Sequence, residues 1–400
     1  MLGKWSLAAM MFLSVSGGPI GMETALLNTE FYTLMGLCFW LLFTYMIPIS
    51  IMSYELTEFY DMSRPEGGPV GWVYHSCGSR LGIANAIWDI LDTLIDNSIY
   101  PILFADNLIN IGFISPDYHS IVAWSMIAFT FLINYKEVQG VAAIIFVLFL
   151  MSPFIAIMFV TPMNDMYMTG SGQTSWTSMQ KAFTILTWSI NGFDMASPYA
   201  HNVHEPTEAY KFAFTFNVLV TFAMLIIVFS MGTYYFHTSE EWQDGCFVTM
   251  ANMAGGETYR IWMGMAACAA AFGVLTAELC ATSYLFIGLS KMGFSKKFES
   301  KIFNLVLNVV ILSCCVLVNL DTLIEMSAYL NTLTLQCEVF AYIFAYKMNW
   351  QRGLVIALLT TNNIIILTCK EYYCFTAFGF SIGLAIVGIW LTEKTIKVNS

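Results

Sequence analysis

Seven carboxylates stand inside apolar stretches of this sequence: Glu23, Asp89, Asp92, Asp96, Asp194, Glu278 and Glu338. An ionised side chain at the centre of a bilayer costs about 2.5 kcal/mol or more, so each of these acids needs a reason. No lysine or arginine lies in the middle of any of the stretches that hold them. Their partner is then a proton, a bound cation, or a network of amides and backbone. Asp89, Asp92 and Asp96 follow at spacings of three and four in "NAIWDILDTLIDNSIYP", which sets them on one helical face. That stripe suits the path of a cationic solute. The bland alternatives stay open beside it. Asp89 and Asp92 lie near one end of their stretch and can be solvated or capping groups. Glu338 reads as a structural contact, and a protonated Glu278 could bond a neighbouring helix.

The acids accompany two interruptions. "SVSGGPIGMETALL" (14–27) packs Gly17, Gly18, Pro19 and Gly21 into an apolar run and follows them with Glu23. "LTWSINGFDMASPYAH" (186–201) does the same with Asn191, Gly192, Asp194, Ser197 and Pro198. Glycine costs roughly 1 kcal/mol and proline roughly 3 kcal/mol in a helix interior, so both runs must break. Unwound backbone is tolerated within a membrane only where it is buried in protein or lines a cavity. Paired breaks at corresponding positions are the sequence mark of a secondary transporter's binding site. An ordinary Gly/Pro kink explains one such break more readily than two. A solute with amines parted by methylenes would match separated carboxylates, and Trp88, Tyr100, Trp188 and Phe193 could wall it through cation–π attraction of about 0.5–2 kcal/mol each.

The elements that must position these residues follow from composition. The 400 residues are 58% hydrophobic and only 11% charged, with a mean hydropathy of +0.67. Soluble domains carry about a quarter charged residues, so this is a polytopic membrane protein. Spans of about 20 residues fall near 5–27, 31–54, 82–107, 118–134, 138–160, 181–200, 210–232, 259–289, 302–319, 323–346, 351–368 and 373–391. An even number puts both termini on one side. Of the sixteen lysines and arginines, only Lys181, Arg260 and Lys370 then fall outside, leaving thirteen within, and the positive-inside rule makes both ends cytoplasmic. The segment 55–80 is cytoplasmic and broken by Pro65, Gly67, Gly68 and Pro69; the acidic segment 237–259 is external.

The net charge of -11 argues against nucleic acid as a partner. The ten cysteines form no CxxC pair and read as small core residues. His201, His204, Glu205 and Glu208 resemble metal spacing without cysteine support, so no metal or other cofactor is expected. No nucleophile–base set suggests an enzyme. The lipid bilayer is the expected environment, and no obligate protein partner is evident.

In combination, "SGGPIGMETAL", "GGPVGWVYHSCG", "DNSIYPILFADNL", "WSINGFDMASPYAHNVHEP", "AELCATSYLFIGLSKMG" and "IEMSAYLNTLTLQCEVFAYI" resemble the eukaryotic polyamine/proton symporter group. That group belongs to the amino acid–polyamine–organocation superfamily, and the resemblance runs from about residue 14 to 347. It implies an all-α, leucine-transporter-like inverted repeat of two five-helix halves with broken first and sixth helices, plus two C-terminal helices. The whole chain is then one transporter domain, with a first half over 5–200, a second repeat over 181–346 and the extra helices over 351–391. It also implies uptake coupled to protons. The expected substrate site is Gly17, Gly18, Gly21, Glu23, Asp96, Tyr100, Trp188, Asn191 and Asp194, with Glu23, Asp96 and Glu278 as candidate proton carriers. Where the group's third helix carries lysine and a small polar residue, this chain has Asp89 and Asp92, which makes its path more acidic. The group's superfamily includes carriers of neutral amino acids, so an amino acid permease on the same fold is the second expectation. A nutrient sensor that binds and scarcely transports is the third. The plasma membrane is the expected location.

Overall fold

A computed structural model describes residues 1–368 apart from 28, 63–66, 163–174, 244 and 319. The expected twelfth span, 373–391, lies outside the described residues, as do Arg64, Lys370, Lys394 and Lys397. Among the described residues the architecture is helical. The chain runs through α1 (Lys4–Val15), α2 (Phe31–Tyr60), α3 (Pro69–Cys77), α4 (Ser79–Asn110), α5 (His119–Tyr135) and α6 (Gln139–Val160). It continues with α7 (Trp176–Trp188), α8 (Pro206–Tyr235), α9 (Cys246–Lys291), α10 (Lys301–Cys315), α11 (Leu320–Ala345) and α12 (Trp350–Thr368). Four of these, α2, α6, α8 and α9, are by length and composition alone long and apolar enough to cross a membrane.

Both expected interruptions are present. α1 stops at Val15, and a 3-10 turn over Glu23–Leu26 resumes the helical path. α7 stops at Trp188, and a 3-10 turn over Asp194–Asn202 follows. α1 lies against α6, α8 and α9, while α4 is packed between α9 and α11. The acids of α4 therefore face the broken segments instead of lipid. The start of the chain is tied to the far end of the second break: Leu2 N donates to Asn202 O and His204 N donates to Leu2 O, both at 2.9 Å.

The described parts of two polar segments are largely helical. Within 55–80, α2 extends to Tyr60 and Pro69 opens α3, as suits a residue without an N–H in a first helical turn. Asp61 accepts from Gly68 N at 3.1 Å and from Trp72 Nε1 at 2.5 Å, so one carboxylate joins the end of α2 to the start of α3, where the indole is buried. Within 237–259, residues from Cys246 onward form the first limb of α9, which bends where Gly255 and Gly256 leave helical geometry. Cys246, Phe247 and Met250 anchor that limb by burial, which charge counting along the sequence overlooks.

α2 also contains a π-helical stretch, Leu42–Met46. Its cause is Pro48, which has no N–H to return to the carbonyl of Thr44. That carbonyl accepts instead from Asn362 Nδ2 of α12 at 2.6 Å. Asn362→Leu would leave it buried without a donor, at a cost of about 1–3 kcal/mol. The expected result is a melting temperature lower by a few degrees in detergent; an unchanged melt would contradict this role for the amide.

Candidate functional site

The two breaks face each other across a cavity. Its wall includes Ser14 at the end of α1 with Ser16 and Gly17 of the first break, and Trp188 at the end of α7 with Asn191, Gly192 and Asp194 beyond it. α4 adds Asp89, Asp92, Asp96 and Tyr100; α9 adds Glu278; α11 adds Ser327 and Asn331. The cavity thus gathers five carboxylates, and no lysine or arginine is among the residues that line it.

Asp96 is the most heavily bonded of the five. Its Oδ1 accepts from Trp188 Nε1 at 3.1 Å and from Ser327 Oγ at 3.3 Å, and its Oδ2 accepts from Tyr100 Oη at 2.5 Å. Tyr100 is one turn along the same helix, where an i+4 neighbour belongs. Trp188 is the last residue of α7 before the chain unwinds. Asp96 therefore joins the scaffold to the second break. Ser327 Oγ also lies 2.7 Å from Asp92 Oδ1. The single hydroxyl proton is thus shared between the two neighbouring acids, with the shorter contact to Asp92.

Asn191 is held from a different side. Tyr45 Oη, buried within the π-helical stretch of α2, donates to Asn191 Oδ1 at 2.8 Å. A π turn shifts the face its residues present, and such turns recur at functional sites. Asp194 opens the second 3-10 turn, and its backbone carbonyl accepts from Ser197 Oγ at 2.6 Å. If the Tyr45 hydroxyl aligns the second break, Tyr45→Phe should weaken substrate affinity about tenfold, the scale of one buried hydrogen bond. Uptake KM measured for the two forms decides this, and an unchanged KM excludes it.

The residues singled out from the sequence separate into two groups. Gly17, Asp96, Tyr100, Trp188, Asn191, Asp194 and Glu278 share the cavity. Gly18, Gly21 and Glu23 do not line it. Gly18 faces the Leu150 side chain, and Gly21 faces the Trp188 ring. Glu23 is buried beside the cavity in a smaller recess with Gly21, Asp106 and Asn110. There its Oε2 accepts from Gly21 N at 2.5 Å, so the carboxylate fastens the unwound backbone two residues before it. Of the expected aromatic wall, Tyr100 and Trp188 reach the cavity. Phe193 is fully buried and stacked on Phe214 at 6.3 Å, and Trp88 does not line the space. Ser14, Ser327 and Asn331 of the lining, and Tyr45 behind Asn191, have types and spacing that do not mark them in the sequence. Ser327 stands 231 residues from Asp96, and no local signal in the sequence links them.

Two broken helices around a polar cavity in a helical bundle are thus the core of the described fold. The likeness to solved structures bears on the fold. The Eremococcus coleocola manganese transporter superposes with a TM-score of 0.62 over 98% of this chain and 93% of that one, at 12% identity. MhsT, solved with L-phenylalanine, gives 0.61 over 91% and 97%, at 12% identity. Mhp1, a nucleobase-cation-symport-1 family transporter, gives 0.60 over 99% and 93%, at 14% identity.

The profile of the amino acid permease family matches residues 2–392, and the chain belongs to that family. Among its curated relatives are a probable polyamine transporter of Arabidopsis thaliana, 27% identical over 72% of this chain and 61% of its own length. The polyamine transporter RMV1 of the same plant is 26% identical over 72% and 60%. The polyamine transporter PUT1 of Oryza sativa subsp. japonica is 27% identical over 72% and 55%. The chain thus spans about 55–61% of the length of these relatives. They agree with the resemblance read from the motifs, and the protein is a multi-pass integral membrane protein.

Proposed function

We propose that this protein imports polyamines by proton-coupled alternating access. One observation carries the reading: a cavity between two helix breaks lined by Asp89, Asp92, Asp96, Asp194 and Glu278, with no basic residue among its lining. Buried carboxylates without a cation are costly, and protonated amines offset that cost. The relatives named polyamine transporters support the same substrate class. The proton is assigned to the acids that line or adjoin the cavity, with Glu23, Asp96 and Glu278 as its candidate carriers. In this reading two five-helix inverted repeats rock about the breaks, two further helices follow, and both ends are cytoplasmic in the plasma membrane.

The second reading, an amino acid carrier, needs free backbone amides at the first break to hold a substrate carboxylate. Those amides are engaged: Gly17 N donates to Leu13 O at 3.0 Å, Gly18 N to Ser16 Oγ at 3.2 Å, and Gly21 N to Glu23 Oε2 at 2.5 Å. That favours the cation over the zwitterion. The deciding experiment is radiolabelled spermidine uptake into proteoliposomes with an inward proton gradient, with leucine and arginine as competitors. Uptake should collapse when the gradient is dissipated and should resist both amino acids. Gradient-driven amino acid uptake without spermidine uptake would overturn the substrate and keep the mechanism.

A further inference from the structure

The acids of the cavity are not equally provided with donors. Asp96 accepts three hydrogen bonds from neutral groups. One end of the cavity differs. Asp89 lines it and is 3% exposed, yet its Oδ2 has no hydrogen-bond partner. Glu338 is 2% exposed, and its Oε2 has none either. The two belong to the same region. Glu338 follows Ser327 and Asn331 along one face of α11, at offsets of eleven and seven residues. Ser327 bonds Asp92 and Asp96, and Asn331, one turn further on, bonds Asp92, so α11 continues toward Asp89 as α4 is followed backward. Glu338 is buried and is not itself among the residues lining the cavity, but it shares the α11 face of Ser327 and Asn331, which are. Asn85, one turn before Asp89, adds a third buried oxygen, Oδ1, with no donor.

These orphaned acceptors lack the same thing, a group that brings several N–H donors and positive charge. An ammonium brings three. We infer that Asp89 and Glu338, with Asp194, form a second amine subsite, which takes the far nitrogen of a linear polyamine whose near nitrogen sits beside Asp96. This rests on the polyamine reading and adds a length requirement to it. Asp89 and Asp96 are seven residues apart on α4, a rise of about 10 Å. A nine-bond chain, as in spermidine, sets its terminal nitrogens about 11 Å apart when extended, whereas the five bonds of putrescine span about 6 Å. The longer chain engages both subsites; the shorter engages one at a time.

The test is equilibrium binding of radiolabelled spermidine to the purified full chain, displaced by unlabelled diamines from four to twelve carbons. Affinity should peak near eight carbons, the nine-bond span, and fall beyond it. A monotonic rise with length would reflect apolar area alone and overturn the subsite. Glu338→Gln and Asp89→Asn should each shrink the spermidine-to-putrescine affinity ratio from at least tenfold to within about threefold. An unchanged ratio in either variant, with a melt still raised by spermidine, overturns the assignment. An equal loss for both amines, with a shifted pH profile of uptake, overturns it in favour of a proton site. If the unaltered protein binds no amine of any length, the polyamine reading fails along with it. The length series needs no variant, so a misfolded substitution does not blunt the test.

Discussion

Asp96→Asn is expected to lower spermidine uptake about 100-fold or more at unchanged protein abundance. Asp96 meets three donors on two oxygens: Trp188 Nε1, Ser327 Oγ and Tyr100 Oη. Asparagine offers one acceptor oxygen and turns an NH2 donor toward at least one of them. Hydrogen bonds to a charged group contribute about 1.5–3 kcal/mol each. With the NH2 in the place of Oδ1, which meets two donors, the loss is about 3–6 kcal/mol, and each 1.4 kcal/mol is a factor of ten. The loss falls on function because the three donors come from α4, α7 and α11, and Trp188 is the residue from which the second break departs. Ser327→Ala removes one neutral donor and leaves the carboxylate, so its effect should stay near tenfold. Proteoliposome uptake normalised to reconstituted protein measures both. Asp96→Asn within threefold of the unaltered protein would remove Asp96 from the transport path.

The contrast between Asp96 and Ser327 indicates what a sequence discloses about such a site. Asp96 is legible because an acid in an apolar helix has few acceptable partners, and the spacing to Asp92 and Asp89 fixes its face. The breaks are legible because glycine, proline and asparagine are costly in a helix. Ser327 and Asn331 are not. Small polar residues are common in membrane helices, and theirs are given purpose only by acids 231 or more residues away. Tyr45 is concealed for another reason. Its orientation depends on a π turn, which depends on Pro48 and on an amide that α12 supplies. Glu23 was visible as an acid after a break. Its bond to Gly21 N could not be read, because it depends on the backbone between them. Composition thus locates charges and breaks, while the direction of each side chain waits on packing.

Gly192→Ala is expected to be the most damaging single-methyl change in the second break. Gly192 has φ +100°, where an L side chain is strained, and a Cβ there would run into the carbonyl of Ser14 at the end of α1. That obstacle is backbone, so no rotamer change relieves it. The conformational term is about 1–2 kcal/mol, and overpacking adds about 1–3 kcal/mol. Gly112→Ala separates the two terms. Its φ is +77°, and nothing lies within 4 Å of the position a Cβ would take. It should lower the melting temperature by a few degrees and keep uptake. Gly192→Ala should melt well below it and lose most uptake, because the two breaks are seated against each other at this contact. Equal melts for the two variants would show that φ alone matters and that the breaks do not depend on close approach. A larger loss at Gly192 makes the broken helices one structure: the unwound backbone of each is held in place by the other, and the acid-lined cavity exists only while both are seated.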